Sequence, residues 1–349
     1  MEHVPLGKSA GPDRLPNAFY RTMAKTIAPR LTGVLNEARK IGHLPKDFRQ
    51  GLISVLYKKK DRTDPRNYRP ITLLNGDYKI FTRALTRRMN AAVLEFVSDP
   101  QNGFVPHGFI AENTILLQLL LAHLEEIQED GQKMEALLVF LDMEKAFDKV
   151  SFDYVREALP ALGFTQGFTD FTNLIYNHDH PPTRQLYING YLSRAFELHS
   201  GVPQGDPLSP LVFLVVSEAL TRLIENDTRI RGIQVGDYSF KLSQYADDTV
   251  ELSHPNDRPY FDEHRETWQL GTDMRENASK REAILGGRLR TVPRDQRPKG
   301  VVQGEKFCED GDAIISLGIP IGHDFDTINL ASFRAGSAGP DPTRTQGVA

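Results

Sequence analysis

The 349-residue chain contains a single cysteine, Cys308. That scarcity excludes an intrachain disulfide and any zinc site built on several thiolates. No apolar run approaches the roughly 20 residues needed to cross a bilayer. The opening residues, MEHVPLGKSAGPDRLP, lack the apolar stretch of a secretory signal. An intracellular, reducing location without membrane contact is the resulting expectation. No internal repeat is found. The chain is 25% charged and 40% hydrophobic, values of a soluble globular protein. Its length allows about two domains. The net charge of −4 conceals an asymmetry: residues 1–90 hold 19 Lys+Arg against 7 Asp+Glu, and the remainder 23 against 39. A basic first quarter points to a polyanion partner, with ordinary solvated faces as the alternative.

Apolar residues recur near helical spacing from Asn17 to Ile41 (Phe19, Met23, Ile27, Leu31, Val34, Leu35, Ala38), which predicts one helix. The apolar run Leu52–Tyr57 is followed by KKKDRTDPRNYRP, where Pro65 and Pro70 forbid a long helix. A basic helix is predicted over Asp77–Val97, with Ile80, Leu85, Met89, Val93 and Phe96 inward. Another covers Glu112–Gln128, with Leu116, Leu117, Leu120, Leu124 and Ile127 apolar. The continuous run ALLVFLD, Ala136 to Asp142, reads as a strand buried on both faces and ending in an acid. Helices follow over Phe152–Leu162, closed by Gly163, and over Leu208–Ile224. Arg184–Leu198 reads as a hairpin around Asn189-Gly190. Ser239–Leu252 alternates on both sides of Ala246-Asp247-Asp248, a second hairpin with acids at its tip. Residues 286–312 are polar, Ile314–Ile321 is one more strand, and the tail from Ala331 has the composition of a flexible end. Strands and helices mix without regular alternation, so the class is α+β.

The stretch QYADDT, Gln244 to Thr249, sets two carboxylates side by side with no cation beside them. Either the pair is a solvated turn, or it binds something cationic. If its hairpin neighbours the strand ending in Asp142, three acids meet at one end of a sheet. Crowded carboxylates raise one another's pKa, and a divalent metal removes that penalty. Mg²⁺ takes hard oxygen ligands and substrate phosphates, the chemistry of phosphoryl transfer.

These residues also carry a resemblance. YADD, Tyr245–Asp248, resembles the signature of reverse transcriptases. LDMEKAFDKV (Leu141–Val150) and GVPQGDPLSPLVF (Gly201–Phe213) resemble two palm motifs of the same enzymes. Asn67–Met89 and Gln101–Leu117 are similar to the fingers blocks of non-LTR (LINE-type) retrotransposon polymerases, and Ser9–Tyr20 to their amino-terminal extension. Glu276–Leu285 and Ser316–Gly322 resemble the last palm blocks. The likeness runs in the family's order over residues 9–322.

It implies a right-hand polymerase: an antiparallel palm sheet backed by helices, and fingers, with the thumb largely missing. The expected division is amino-terminal extension and fingers over 1–135, palm over 136–322 with a boundary that is not contiguous, and a disordered tail or thumb remnant over 323–349. It implies an RNA-directed DNA polymerase acting on an RNA template, a DNA primer and dNTPs. Asp142, Asp247 and Asp248 become the catalytic ligands of Mg²⁺, or of Mn²⁺ in its place. Lys58 and Arg69 face the triphosphate, Phe147 abuts the sugar 2′ position, and Gln204 and Gly205 lie beside the nascent base pair. Lys280 holds a general-acid position. Glu251 departs from the pattern, as an acid where the family has an apolar strand residue, and little chain follows Gly322. The alternative is therefore an inactive, truncated retroelement remnant that at most binds nucleic acid. A group II intron or retron enzyme is a third reading, disfavoured by the amino-terminal block.

Overall fold

The computed structural model of the chain describes residues 1, 4–59, 61–126, 128–129, 132–293, 296 and 306–323. Two helices stand where periodicity predicts one: α1 (Asn17–Thr22) and α2 (Ala24–Ile41). The backbone flattens at Met23 (ψ 13°), so one stripe does not stay on one face. Leu31 and Ala38 are buried, whereas Phe19, Met23 and Val34 are exposed. Strand β1 (Gln50–Tyr57) pairs antiparallel with β2 (Tyr68–Leu74), with Leu56 opposite Arg69. Pro70 is tolerated in β2 because that strand is a sheet edge. Helix α3 (Gly76–Phe96) buries Phe81, Leu85, Met89, Val93 and Phe96 at helical spacing. Helix α4 (Ile110–Glu126) buries Leu117, Leu120, Leu121 and Leu124. Ile127 lies outside the described residues.

A short pair, β3 (Gln128–Glu129) and β4 (Gln132–Lys133), leads into β5 (Glu135–Leu141), whose last six residues are all buried. Helices α5 (Phe152–Ala161) and α6 (Gln166–Asn173) follow. The next hairpin pairs β6 (Thr183–Ile188) with β7 (Tyr191–Leu192) around Asn189 and Gly190. Both turn residues have positive φ (52° and 84°), as a type I′ turn requires. The return strand is interrupted, and β8 (Phe196–Glu197) pairs β6 separately. Helix α7 (Ser209–Asn226) is buried nearly all round, with proline in its first turn, where a missing N–H costs nothing.

Phe240 does not extend the acid-bearing hairpin as the alternation predicts. It belongs to a separate pair, β9 (Ile233–Val235) and β10 (Tyr238–Phe240). The acid hairpin is β11 (Leu242–Tyr245) and β12 (Asp248–Ser253). Then come α8 (Arg258–Thr272), β13 (Glu282–Gly287), α9 (Arg288–Thr291) and β14 (Lys306–Phe307). Ile314–Ile321 is a hairpin, not one strand: β15 (Ile314–Ser316) turns through Leu317 and Gly318, both at positive φ, into β16 (Ile319–Ile321). Residues 324–349, including the tail from Ala331, lie outside the described residues, as do 297–305 of the polar stretch.

Two five-stranded sheets organise the chain. The first runs β2-β1-β6-β7, with β8 also on β6. The second runs β11-β12-β5-β13-β14, antiparallel except for its last pair. On one face of the second sheet, Leu138, Phe140, Val250, Leu252 and Ile284 pack against α4. Leu137, Val139, Leu141 and Leu285 point the other way, onto Leu289 of α9. The class is α+β, as the mixed pattern predicts.

Candidate active site

Register brings the acids to one sheet end. Thr249 pairs with Leu141, so Asp248, one residue before Thr249, lies beside Asp142, one residue after Leu141. Tyr245 pairs with Asp248, leaving Ala246 and Asp247 as a two-residue turn. Burial raises the Asp247 carboxyl above its ordinary range, and the charge of Asp142 raises it further; Lys58 and Arg69 pull it back. Asp248 is open to solvent on one side, yet the protein around it, then Asp247 and Asp142, push its carboxyl up to about 6. Asp142 thus makes both Asp247 and Asp248 harder to ionise, and Asp247 adds to the effect on Asp248. Asp142 has a counter-ion: Lys280 Nζ stands 2.9 Å from its Oδ2. Asn277 N–H donates to the Asp142 carbonyl at 2.8 Å, so the segment bearing Lys280 is hung on Asp142 itself.

The donors fit a divalent cation by chemistry: the hard carboxylate oxygens of Asp142, Asp247 and Asp248 are gathered at one sheet end. Among the described residues no three such side chains form a ready-made metal cage.

Lys58 and Arg69 extend from the ends of β1 and β2 and are exposed. The Lys58 N–H donates to the Asn67 carbonyl at 2.9 Å, fixing the strand end. Partial burial, then Arg69, Lys59 and Lys280, lower the Lys58 pKa. These cations act on one another and on Asp142 and Asp247, so the first sheet presents positive charge to the acids of the second.

Phe147 follows Asp142 in a one-turn 3₁₀ helix, Ala146–Lys149. Its ring stacks on Phe213 (centroids 5.0 Å, 11°) and meets Phe104 edge-on at 6.3 Å. The Phe147 carbonyl accepts the Val202 N–H at 2.7 Å, tying the GVPQGDP segment to the loop after Asp142. Gln204 and Gly205 dock on β2. Thr72 N–H donates to the Gln204 carbonyl at 2.7 Å, and Gly205 sits at φ 119°, where a Cβ would stand 2.6 Å from the Thr72 oxygen. Only glycine fits there without strain. A 220 Å³ cleft lies between β1, β2 and this segment, lined by Ile53, Thr72, Asp148 and Gln204. A 510 Å³ groove opens on the other side, past Asp142, Asp248 and Lys280 to Ser316 and Leu317.

Glu251 is not an isolated charge in a strand. It is 0% exposed, and its two oxygens accept from Arg258 Nη1 (2.8 Å) and Arg265 Nη1 (2.7 Å) on α8. Arg265 also reaches Asp262 and, at 3.5 Å, Glu276, which holds Arg281 at 2.7 Å. Arg258 and Arg265 stand two helical turns apart on one face of α8. Asp206 is a second buried acid beyond sequence reach. It accepts from Tyr78 O–H at 3.2 Å and the Leu208 N–H at 3.3 Å, directly below Gln204 and Gly205. Burial raises its pKa.

Comparison with known proteins completes this geometry. The family model for "Reverse transcriptase (RNA-dependent DNA polymerase)" matches residues 57–279. The chain is 31% identical over 288 residues to the uncharacterized 149 kDa protein of transposon TX1 from Xenopus laevis, covering 82% of this chain and 21% of that one. It is 29% identical over 248 residues to the Pol polyprotein from type-2 retrotransposable element R2DM of Drosophila melanogaster (71% and 22% covered). It is 25% identical over 289 residues to the RNA-directed DNA polymerase from mobile element jockey of the same fly (79% and 30% covered). The chain thus spans between 21% and 30% of the length of these relatives. With the matched segment running from the end of β1 through the acid hairpin to Ser279, the chain belongs to the reverse transcriptase family, among the proteins of non-LTR retrotransposons.

Proposed function

We propose that this chain is an RNA-directed DNA polymerase domain that extends a DNA primer with dNTPs on an RNA template. The observation that carries the reading is the meeting of Asp142 with Asp247 and Asp248, facing Lys58 and Arg69. The fingers comprise 1–135 together with the β6–β8 hairpin, and the palm the rest of 136–322, a boundary that is not contiguous. Asp142 and Asp247, with Asp248 as the third carboxylate, would hold Mg²⁺ or Mn²⁺. A divalent cation so held supplies Lewis-acid stabilisation of phosphate oxygens.

The chain's own residues do the rest. The Arg69 fork takes two triphosphate oxygens, and Lys58 adds a point charge. The primer 3′-hydroxyl gives up its proton to solvent, its oxygen bonds to the α-phosphorus, the bond from that phosphorus to the α–β bridging oxygen breaks, and pyrophosphate leaves. Lys280, already beside Asp142, delivers a proton to the leaving group. Phe147, braced by Phe213 and Phe104, closes the space a ribose 2′-OH would need. Gln204 and Gly205 bring bare backbone against the nascent base pair. The remnant reading loses one of its supports, because Glu251 is fully paired rather than a defect.

Purified chain, a labelled DNA primer on an RNA template, dNTPs and Mg²⁺ test the proposal. Template-dependent extension that stops on chelation is expected. Salt-dependent RNA binding without extension at any Mg²⁺ concentration would instead establish the remnant.

A further inference from the structure

β11 is an outer strand of the palm sheet, and an unpaired edge is where a hairpin tip is least constrained. The segment Pro100–Gly103, between α3 and α4, covers that edge. Gln101 bridges Gln244 in parallel. Gln244 N–H donates to the Pro100 carbonyl (2.8 Å), and Asn102 N–H to the Gln244 carbonyl (2.9 Å). Gln101, 3% exposed, then turns its side chain into the tip. Its Oε1 accepts the N–H of Ala246 and the N–H of Gly103, each at 2.8 Å, and its Nε2 donates to the Ala246 carbonyl at 3.3 Å.

Both backbone polar groups of Ala246 therefore end on one side-chain amide. Ala246 is buried and sits at φ 57°, a left-handed conformation that costs an L-residue energy. Its N–H has no solvent to turn to, so losing the partner leaves a buried donor unmet. Gly103 makes the approach feasible: a Cβ there would stand 2.1 Å from the Ala246 nitrogen. Behind the tip, Asn113 Nδ2 of α4 donates to the Gln244 carbonyl (2.9 Å), and Thr221 of α7 donates to Gln244 Oε1 (2.6 Å). The base of the hairpin is thus held by other residues, while Gln101 holds the turn that carries Asp247.

We infer that Gln101 is a positioning residue: its side-chain amide fixes the left-handed turn at Ala246 and so sets where Asp247 and Asp248 present their carboxylates. The inference rests on reading those acids as the catalytic pair, but the clamp is measurable without it. Two variants of the full chain separate the roles. Gln101→Met keeps the volume and removes the hydrogen bonds; Gln101→Glu keeps an acceptor for the two N–H groups. In hydrogen exchange, Ala246 should open about tenfold faster in Gln101→Met and within about threefold of wild type in Gln101→Glu, with Leu137–Val139 of β5 unchanged. If Gln101→Met loses protection throughout β5, Gln101→Asn, one methylene short, takes its place with the same expectation. Unchanged Ala246 exchange overturns the inference whether or not the wild type polymerises.

Mn²⁺ titration followed by electron paramagnetic resonance reads the positioning. Gln101→Met should weaken Mn²⁺ affinity about 10–100-fold, the usual effect of removing a group that orients a metal-binding side chain. Faster exchange with unaltered Mn²⁺ affinity would reduce Gln101 to a structural tie and refute positioning. A wild-type chain that binds no Mn²⁺ would count against the active-site reading, and the exchange result would still decide the clamp.

Discussion

Replacing Glu251 by Gln removes one charge and leaves Arg258 and Arg265 buried on α8. All three side chains are 5% exposed or less. Gln keeps one acceptor oxygen, so one charge-assisted hydrogen bond worth about 1.5–3 kcal/mol is lost, the new amide N–H₂ faces a guanidinium donor, and two guanidinium charges have less to balance them. Arg265 keeps Asp262 and Glu276, which limits the damage on its side. Breaking a buried pair typically costs about 3–5 kcal/mol, and about 3 kcal/mol is expected here. Urea unfolding at pH 7, read through the shift in midpoint, measures it. The control exchanges the whole cluster for apolar groups: Glu251→Leu with Arg258→Met and Arg265→Met should recover to within about 1–2 kcal/mol of wild type. A Glu251→Gln chain within about 0.5 kcal/mol of wild type, the scatter of ordinary surface changes, would show that the buried cluster does not depend on the Glu251 charge. A triple variant no better than the single one would contradict a charge-balance origin of the loss.

Other expectations follow from the same geometry. Phe147→Val should lower discrimination of dNTP over rNTP by about 10–100-fold, read as the ratio of kcat/KM values; an unchanged ratio would mean the ring does not face the sugar. Arg69→Lys should raise KM for dNTP about tenfold with kcat little altered, because an ammonium cannot form the two parallel bonds of a guanidinium. Gly205→Ala, at φ 119° and 2.6 Å from the Thr72 oxygen, should cost about 1–3 kcal/mol in thermal unfolding. Burial raises Asp77 from its ordinary 3.8 to about 6, so the folded state holds that proton more tightly. The stability it contributes is complete below pH 4 and is lost as pH rises through 6. Asp77→Asn should therefore gain about 1–2 kcal/mol at pH 8 and nothing at pH 4, by urea midpoints at the two pH values.

Local signals carried the elements that position the chemistry. The apolar run ending in Asp142 is β5, and the alternation around Asp247 and Asp248 is a hairpin of two-residue turn, because period and turn chemistry are written in neighbouring residues. The failures are also local in cause. Leu317-Gly318 is a weaker turn signal than Asn-Gly, so β15 and β16 read as one strand. Met23 carries no breaker residue, so α1 and α2 read as one helix. What lay beyond the sequence is contact across distance: Lys280 on Asp142, Gln101 on Ala246, and the arginines that turn Glu251 from an apparent defect into a paired charge. The family's motif order named the acids, but the raised carboxyls of Asp247 and Asp248 and the cations opposite them required the register of β5 against β12.

DNA synthesis on RNA, as proposed above, depends on Asp142 and Asp247 acting together. The direct test is single-turnover primer extension by wild type, Asp142→Asn and Asp247→Asn, with folding of each checked by its urea midpoint. Template-dependent extension by wild type is expected, with a loss of about 10³-fold or more in each variant, on the scale of removing a group that stabilises transition-state charge. Extension by Asp247→Asn at the wild-type rate would contradict that dependence.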